Sequence, residues 1–226
     1  LVEDARDTDD RPATSTDLRC LAAAPLVLYG EPIGFLEVGS PRPGAFGPDE
    51  QRLLEAIAGQ ASVAIENARL YELATIDGLT GLYVRRYFDG RLQDEWQRGH
   101  RFRTPFAVML MDLDDFKDVN DRHGHAAGDR LLREVASVVR QSLRGIDIAA
   151  RHGGDEFGVV LPRTRLEDAR GVAERVRADV ERHVFVWNGV EHRVTASIGV
   201  ASCAEAGVED PPQVVREADQ ALYRAK

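Results

Sequence analysis

From residue 77 onward the chain switches repeatedly between helical spacing and short strand-like runs, and that order limits its fold more than any single motif. A helical stretch from about Arg85 to Arg98 gives way to the strand-like run FAVMLMDL, which begins at Phe106. A long helical pattern covers about Ala127 to Leu143, and the short run IAAR leads into a turn. The run FGVVL follows, then a helix from about Arg165 to Arg182, the strand VTASIGVA and a closing helix from about Pro212. Strand, helix, hairpin, helix and strand in that sequence predict an α+β, ferredoxin-like arrangement. The expectation is a central, mostly antiparallel sheet with its helices on one face. No internal repeat is visible.

Two places in this order carry chemistry. The apolar run of the first long strand stops at Asp112, which puts a carboxylate at the strand's end in the centre of the sheet. The segment RHGGDEFGVV places Asp155 and Glu156 on a turn opened by Gly153 and Gly154. In the predicted topology that turn lies level with Asp112, so three acids converge. Like charges so close repel one another, and a shared cation removes the conflict. Ligands that are all oxygen favour magnesium, held by a few carboxylates together with substrate phosphates. The two glycines leave no side chain over the turn, so a ligand can approach the backbone. Taken alone, GGDE reads as a solvated hairpin turn; opposite Asp112 it reads as a metal-phosphate site.

Charge narrows the partners. The chain of 226 residues carries a net charge of -9, which argues against a duplex nucleic-acid binder. A small phosphorylated ligand remains compatible, because a metal supplies the missing positive charge. Cys20 and Cys203 stand far apart in no ligand-like spacing, which suits a reducing, cytoplasmic setting. The longest apolar stretch, from Cys20, is too short to span a bilayer, so no membrane segment is expected in this fragment. The chain opens at Leu1 rather than Met and reads as a piece of a longer protein.

The front third has a different character. Residues 1–17 are charged and almost without large apolar groups, and read as a loose tail or loop. LAAAPLVLY and PIGFLEVG form two strand-like runs around Gly30 and Glu31, a plausible hairpin. From Asp49 to about Ile76 the spacing is helical. Leu54, Ala58, Ala61, Ile65 and Ala68 form one heptad seam, and Leu53, Ile57, Ala61, Ala64, Ala68 and Tyr71 form a second beside it. The first half of this helix reads as packing on its own domain. The second half reads as a parallel coiled-coil linker between two chains.

Five strings carry a resemblance: DGLTGLYVRRYF, DLDDFKDVNDRHGHAAGD, RHGGDEF, VTASIGVA and ADQALYRAK. From Asp77 to the end the sequence resembles the GGDEF-domain diguanylate cyclases, with all five in that family's order and spacing. Residues Leu18 to about Tyr71 resemble the C-terminal part of a GAF domain through APLVLYGEPIGFLEVG and FGPDEQRLLEAIAGQASVAIENARLYE. The organisation expected is a tail over 1–17, a partial GAF-like segment over 18–48, a linker helix over 49–76 and a GGDEF domain over 77–226.

The resemblance implies a nucleotidyl-cyclase palm and an enzyme that joins two GTP molecules into cyclic di-GMP with release of two pyrophosphates. Two magnesium ions, or manganese, assist the transfer. Asp112 and Asp155 would be metal ligands with the Leu113 carbonyl, and Glu156 would ligate a metal, assist deprotonation of the 3'-hydroxyl, or both. Phe116, Lys117 and Lys226 match phosphate-contacting positions, with Gly153 and Gly154 beneath the nucleotide. Asn120 and Asp129 match positions that read guanine; without the family they read as a turn residue and a helix N-terminal acid. Arg144, Asp147 and Arg175 match an inhibitory product site. The pattern R-x-x-D carries little by itself, since it recurs at Arg6, Arg86, Arg91, Arg165 and Arg216. His123 and His125 read as a loop and helix-start pair rather than metal ligands. Val84 and Asp115 depart from the family pattern.

Each subunit would hold one GTP, so the reaction requires a homodimer. The rival readings are a non-catalytic cyclic di-GMP receptor and a GTP-binding regulatory module.

Overall fold

The computed structural model describes residues 18–203 and 209–226 and divides into two compact units between Glu72 and Leu73. The tail expected over 1–17 lies outside the described residues. In the first unit, β1 (Cys20–Leu28) and β2 (Glu31–Ser40) pair antiparallel. Tyr29 and Gly30 turn the hairpin with φ of 51° and 86°, the mirror-image turn that matches strand twist. α1 (Pro48–Thr75) follows, opening with Pro48 and the acids Asp49 and Glu50, as helix starts favour.

Leu54 and Ala58 of α1 bury against Ala22 and Ala24 of the hairpin. Ser62 continues this face: its hydroxyl donates to the Ala58 carbonyl at 2.8 Å and accepts the Val27 N–H at 3.1 Å. The start of the first seam is therefore consumed within the unit. Leu53, Ile57, Ile65 and Tyr71 stay exposed.

The second unit contains β3 (Tyr83–Val84), α2 (Arg85–Phe102), β4 (Phe106–Leu113), α3 (Phe116–His123), α4 (His125–Gln141), β5 (Ile148–Gly153), β6 (Glu156–Pro162), α5 (Leu166–Arg182), β7 (Phe185–Trp187), β8 (Val190–His192), β9 (Ala196–Ser202) and α6 (Pro211–Ala225). Five strands form one sheet in the order β3-β5-β6-β4-β9, and β7 pairs with β8 as a separate hairpin. β4 runs antiparallel to both β6 and β9, and only β3 with β5 is parallel.

The helices cover both faces of this sheet, not one. Ala107, Met109, Met111 and Leu113 pack with Leu131 and Val135 of α4 and Val172 and Val176 of α5. Phe106, Val108 and Leu110 pack with Phe88 and Leu92 of α2 and Val214, Ala218 and Leu222 of α6. Every residue of β4 is buried, which a strand with a solvated face cannot be. Burial of each large side chain here contributes about 1.5–3 kcal/mol, so β4 is the strand the unit is built on.

β3, α3 and the β7–β8 hairpin lie where the sequence reading expected no element. α3 occupies the segment read as a turn around Asn120. The β7–β8 hairpin turns at Asn188 and Gly189, with φ of 50° and 78°. Among the described residues, no helix is long and apolar enough to cross a membrane.

The seat of α6 depends on one glycine. A Cβ on Gly199 of β9 would lie 2.1 Å from the Ala218 carbonyl oxygen and 2.2 Å from the Leu222 nitrogen, both backbone atoms. α6 therefore lies directly on the strand, and this contact fixes where its C-terminal Lys226 ends. Gly199→Ala is expected to destabilise the larger unit by about 2–3 kcal/mol, measured by urea unfolding. Gly171→Ala, in α5 with nothing within 4 Å of the added carbon, should be neutral or slightly stabilising. Equal effects from the two substitutions would refute the close-packing account.

Candidate active site

The register of the sheet sets two of the acids opposite each other. β4 pairs with β6 so that Asp112 stands opposite Glu156, and with β9 so that Asp112 stands opposite Ser197. The β5–β6 hairpin turns at Gly154 and Asp155, and Gly154 has a φ of 45°, which favours glycine. An added Cβ at Gly153 or Gly154 would meet nothing within 4 Å, so the space over the turn is open. Asp155 is partly exposed and Glu156 exposed, whereas Asp112 is buried.

A buried carboxylate needs a partner, and Asp112 has one: the Lys226 ammonium lies 2.8 Å from its Oδ1. This bond raises the Lys226 pKa above its ordinary value, and the charges of Asp112, Asp155 and Asp114 add to the effect. The ammonium thus marks the point where the fields of several acids sum. No group of three acidic, His or Cys side chains among the described residues is gathered at metal-binding spacing. The donor set nevertheless suits a hard divalent ion: it is all oxygen, it centres on a buried carboxylate, and it already attracts a cation.

The segments that carry these groups are tightly held. Asp114 accepts the Thr195 hydroxyl at 2.6 Å and the Ser197 hydroxyl at 2.8 Å, while its N–H donates to the Thr195 carbonyl at 3.0 Å. Both of its oxygens are engaged, so Asp114 fixes the exit of β4. Asp115 then takes a φ of 55°, a left-handed conformation that reverses the chain into α3.

α3 begins at Phe116, which packs against the core, and Lys117 beside it is exposed. The Asn120 carboxamide lies directly on Gly128: a Cβ there would be 2.1 Å from Asn120 Oδ1. Asn120 and Asp129 are thereby brought to neighbouring positions on α3 and α4. His123 ends α3 and His125 begins α4, and the His123 ring sits 4.5 Å from that of His192.

The turn itself is tied to the start of the unit. Arg151 donates from Nε to the Gly154 carbonyl at 2.9 Å and from Nη1 to the Asp77 carboxylate at 3.4 Å. Asp77 also accepts from the Thr80 N–H at 2.8 Å and the Thr80 hydroxyl at 2.7 Å. Burial pushes the Asp77 carboxyl up, but the Thr80 bonds and the Arg151 charge together outweigh it and hold the pKa below the ordinary value.

Arg144 and Asp147 come together, and Arg175 reaches the segment just before them. The Arg144 N–H donates to Asp147 Oδ2 at 2.8 Å, and the Arg175 guanidinium donates twice to the Ser142 carbonyl, at 3.2 and 2.9 Å. Arg144 and Asp147 line a cavity of about 280 Å³ with Tyr83 and Arg140.

Residues 74–226 match the family model described as diguanylate cyclase, GGDEF domain, and residues 1–66 match a GAF domain. The chain belongs to the GGDEF diguanylate cyclase family. It is 38% identical over 208 residues to diguanylate cyclase A of Treponema denticola, covering 89% of this chain and 56% of that protein. It is 43% identical over 157 residues to the response regulator PleD of Caulobacter vibrioides, covering 69% of this chain and 34% of the other. The chain thus spans about half of the first relative and a third of the second. Among solved structures, the coiled coil and GGDEF domain of DgcB from Caulobacter crescentus, in complex with c-di-GMP, superposes with a TM-score of 0.70 at 30% identity. That match covers 78% of this chain and 93% of the other.

Sequence reasoning gave Asp77, Thr80, Asp114, Gly128, Arg151 and Gly199 no role in the site. All six stood in the quoted strings, the first two as the start of a domain; Asp114, Gly128, Arg151 and Gly199 act through contacts that only the fold creates. Asp77→Ala should lower stability by about 1–2 kcal/mol at neutral pH, read by urea unfolding. Because the folded pKa of Asp77 lies below its unfolded value, this contribution is present above about pH 4 and fades as pH falls through the folded pKa. A wild-type advantage unchanged at pH 2 would contradict the charge-based account.

Proposed function

We propose that the chain is a diguanylate cyclase, condensing two GTP into cyclic di-GMP with release of two pyrophosphates. The observation that carries this reading is the register that sets Asp112 opposite Glu156, with the bare turn of Gly153, Gly154 and Asp155 beside them. Asp112 and Asp155, with the Leu113 carbonyl, are the groups that would hold magnesium, two ions per half-site or manganese in their place. When bound, the metal supplies charge neutralisation on the triphosphate and acidifies the attacking 3'-hydroxyl.

The chain's own residues do the rest. Glu156 takes up the 3'-hydroxyl proton or shares in metal ligation. Asn120 and Asp129 accept and donate at the guanine edge, where adenine would leave the aspartate without a donor. Phe116 and Lys117 face the phosphates. Lys226 has a 46% exposed side chain, so it is able to leave Asp112 and turn to a phosphate.

One site holds one GTP, and each nucleotide must attack the other, so two chains face each other. The exposed Leu53, Ile57, Ile65 and Tyr71 on α1 support a coiled-coil contact between subunits. The c-di-GMP complex of the DgcB relative supports product binding by this chain, which we assign to Arg144, Asp147 and Arg175 as a feedback site. A GTP substrate, drawn from the nucleotide pool inside the cell, supports a cytoplasmic setting for this chain.

Incubating the chain with GTP and magnesium at several protein concentrations should yield cyclic di-GMP at a rate rising faster than linearly with protein. Chelating the metal should stop it, and Asp155→Ala should lower it by more than about a hundredfold. If the folded wild-type chain makes no product yet binds cyclic di-GMP through Arg144, the receptor reading replaces the enzyme.

A further inference from the structure

One cavity of the second unit opens at the end of the sheet away from the acidic turn. It is an open cleft of about 940 Å³ at the end of the sheet where β4 begins, lined by the end of α2, the start of α5 and the end of β9. β4 reaches from Phe106 at this cleft to Asp112 at the other pole, about 20 Å at the rise of an extended strand. The floor is fixed by hydrogen bonds. The Cys203 N–H and the Ser202 hydroxyl both donate to the Phe106 carbonyl at 3.1 Å, and the Phe106 N–H donates to Cys203 Sγ at 3.3 Å.

The walls combine two kinds of group. Trp96 packs against His100 at 4.6 Å between ring centroids and lies 6.4 Å from Phe106, edge to face. The same lining holds three arginines, Arg103, Arg165 and Arg170, against one carboxylate, Glu167. In a chain of net charge -9 this is a local reversal of sign. None of the three guanidiniums has a hydrogen bond or ion pair among the described residues. Further along the same helix α5, Arg177 and Arg182 are both paired with acids. Arg103 also adopts a φ of 52° just past the end of α2, a position where glycine is the usual residue.

We infer that this cleft binds a nucleotide-like anion, a planar ring bearing one or more phosphates, at a site separate from the GGDEF turn. Guanidinium forks match phosphate oxygens in pairs. The Trp96–His100 wall offers a face for the ring. The volume lies in the range of small-ligand sites. An acidic peptide would satisfy the arginines but would leave the aromatic wall without a role.

The test uses the full chain with Trp187→Phe, which leaves Trp96 as its sole tryptophan, in metal-free buffer. Adenosine triphosphate should change Trp96 fluorescence in a saturable way. Arg103→Ala with Arg170→Ala should weaken the binding about tenfold or more, and Arg165→Ala should weaken it independently. Asp129→Ala, at the other pole, should leave it unchanged. No saturable change up to about 1 mM, or one indifferent to the arginines, overturns the proposal. Equal affinity for pyrophosphate overturns the part assigned to the ring. An equally strong response to hexaglutamate overturns the nucleotide in favour of an acidic protein partner. Circular dichroism of each variant separates lost binding from lost fold.

Discussion

The burial of β4 on both faces is the constraint from which the rest of the second unit follows. A strand with no solvated side must sit between two helical layers and between two neighbouring strands, and β4 has all four. Its apolar run then has to end somewhere, and it ends on a carboxylate. Asp112 is the first polar group met at the rim of a dry layer, and its neighbours across the sheet are Glu156 and Ser197. Strand register, not a flexible loop, therefore sets the spacing of the site.

What surrounds that spacing is a set of local locks. Asp114 holds the exit of β4 to the residues entering β9. Arg151 joins the acidic turn to Asp77, just beyond the end of α1. Gly128 lets α3 and α4 approach until the Asn120 carboxamide touches the backbone. Each lock joins segments distant in sequence or removes a side chain that would keep them apart. Two side chains, Asp77 and Arg151, thus link the residue just beyond α1 to the Gly154 carbonyl.

Much of this was legible in the amino-acid order, because strand ends and glycine turns are local signals. The alternation of elements gave the sheet, and the quoted strings gave the family that the comparisons bear out. The two covered faces were missed although FAVMLMDL is apolar at nearly every position, where a strand with one wet face would alternate. The β7–β8 hairpin was missed although Asn188-Gly189 is a strong turn signal between strand-like residues. α3 has no buried residue and a polar sequence, FKDVNDRH, so little in its pattern separates it from a turn. Asp114, Arg151 and Gly199 were beyond reach for another reason: their contacts span tens of residues, and no spacing rule reports them.

The pairing of Lys226 with Asp112 has a consequence for how the protein can be stored and loaded. A buried carboxylate at the rim of the core would leave an uncompensated charge if it waited for an ion from solution. Here the counter-ion is covalently part of the chain and arrives with α6, whose position Gly199 dictates. The Asp112 charge is thereby compensated from within the chain. Whatever positive group later engages Asp112 enters by exchange, one tethered charge giving way to another, and the site need never pass through a bare state.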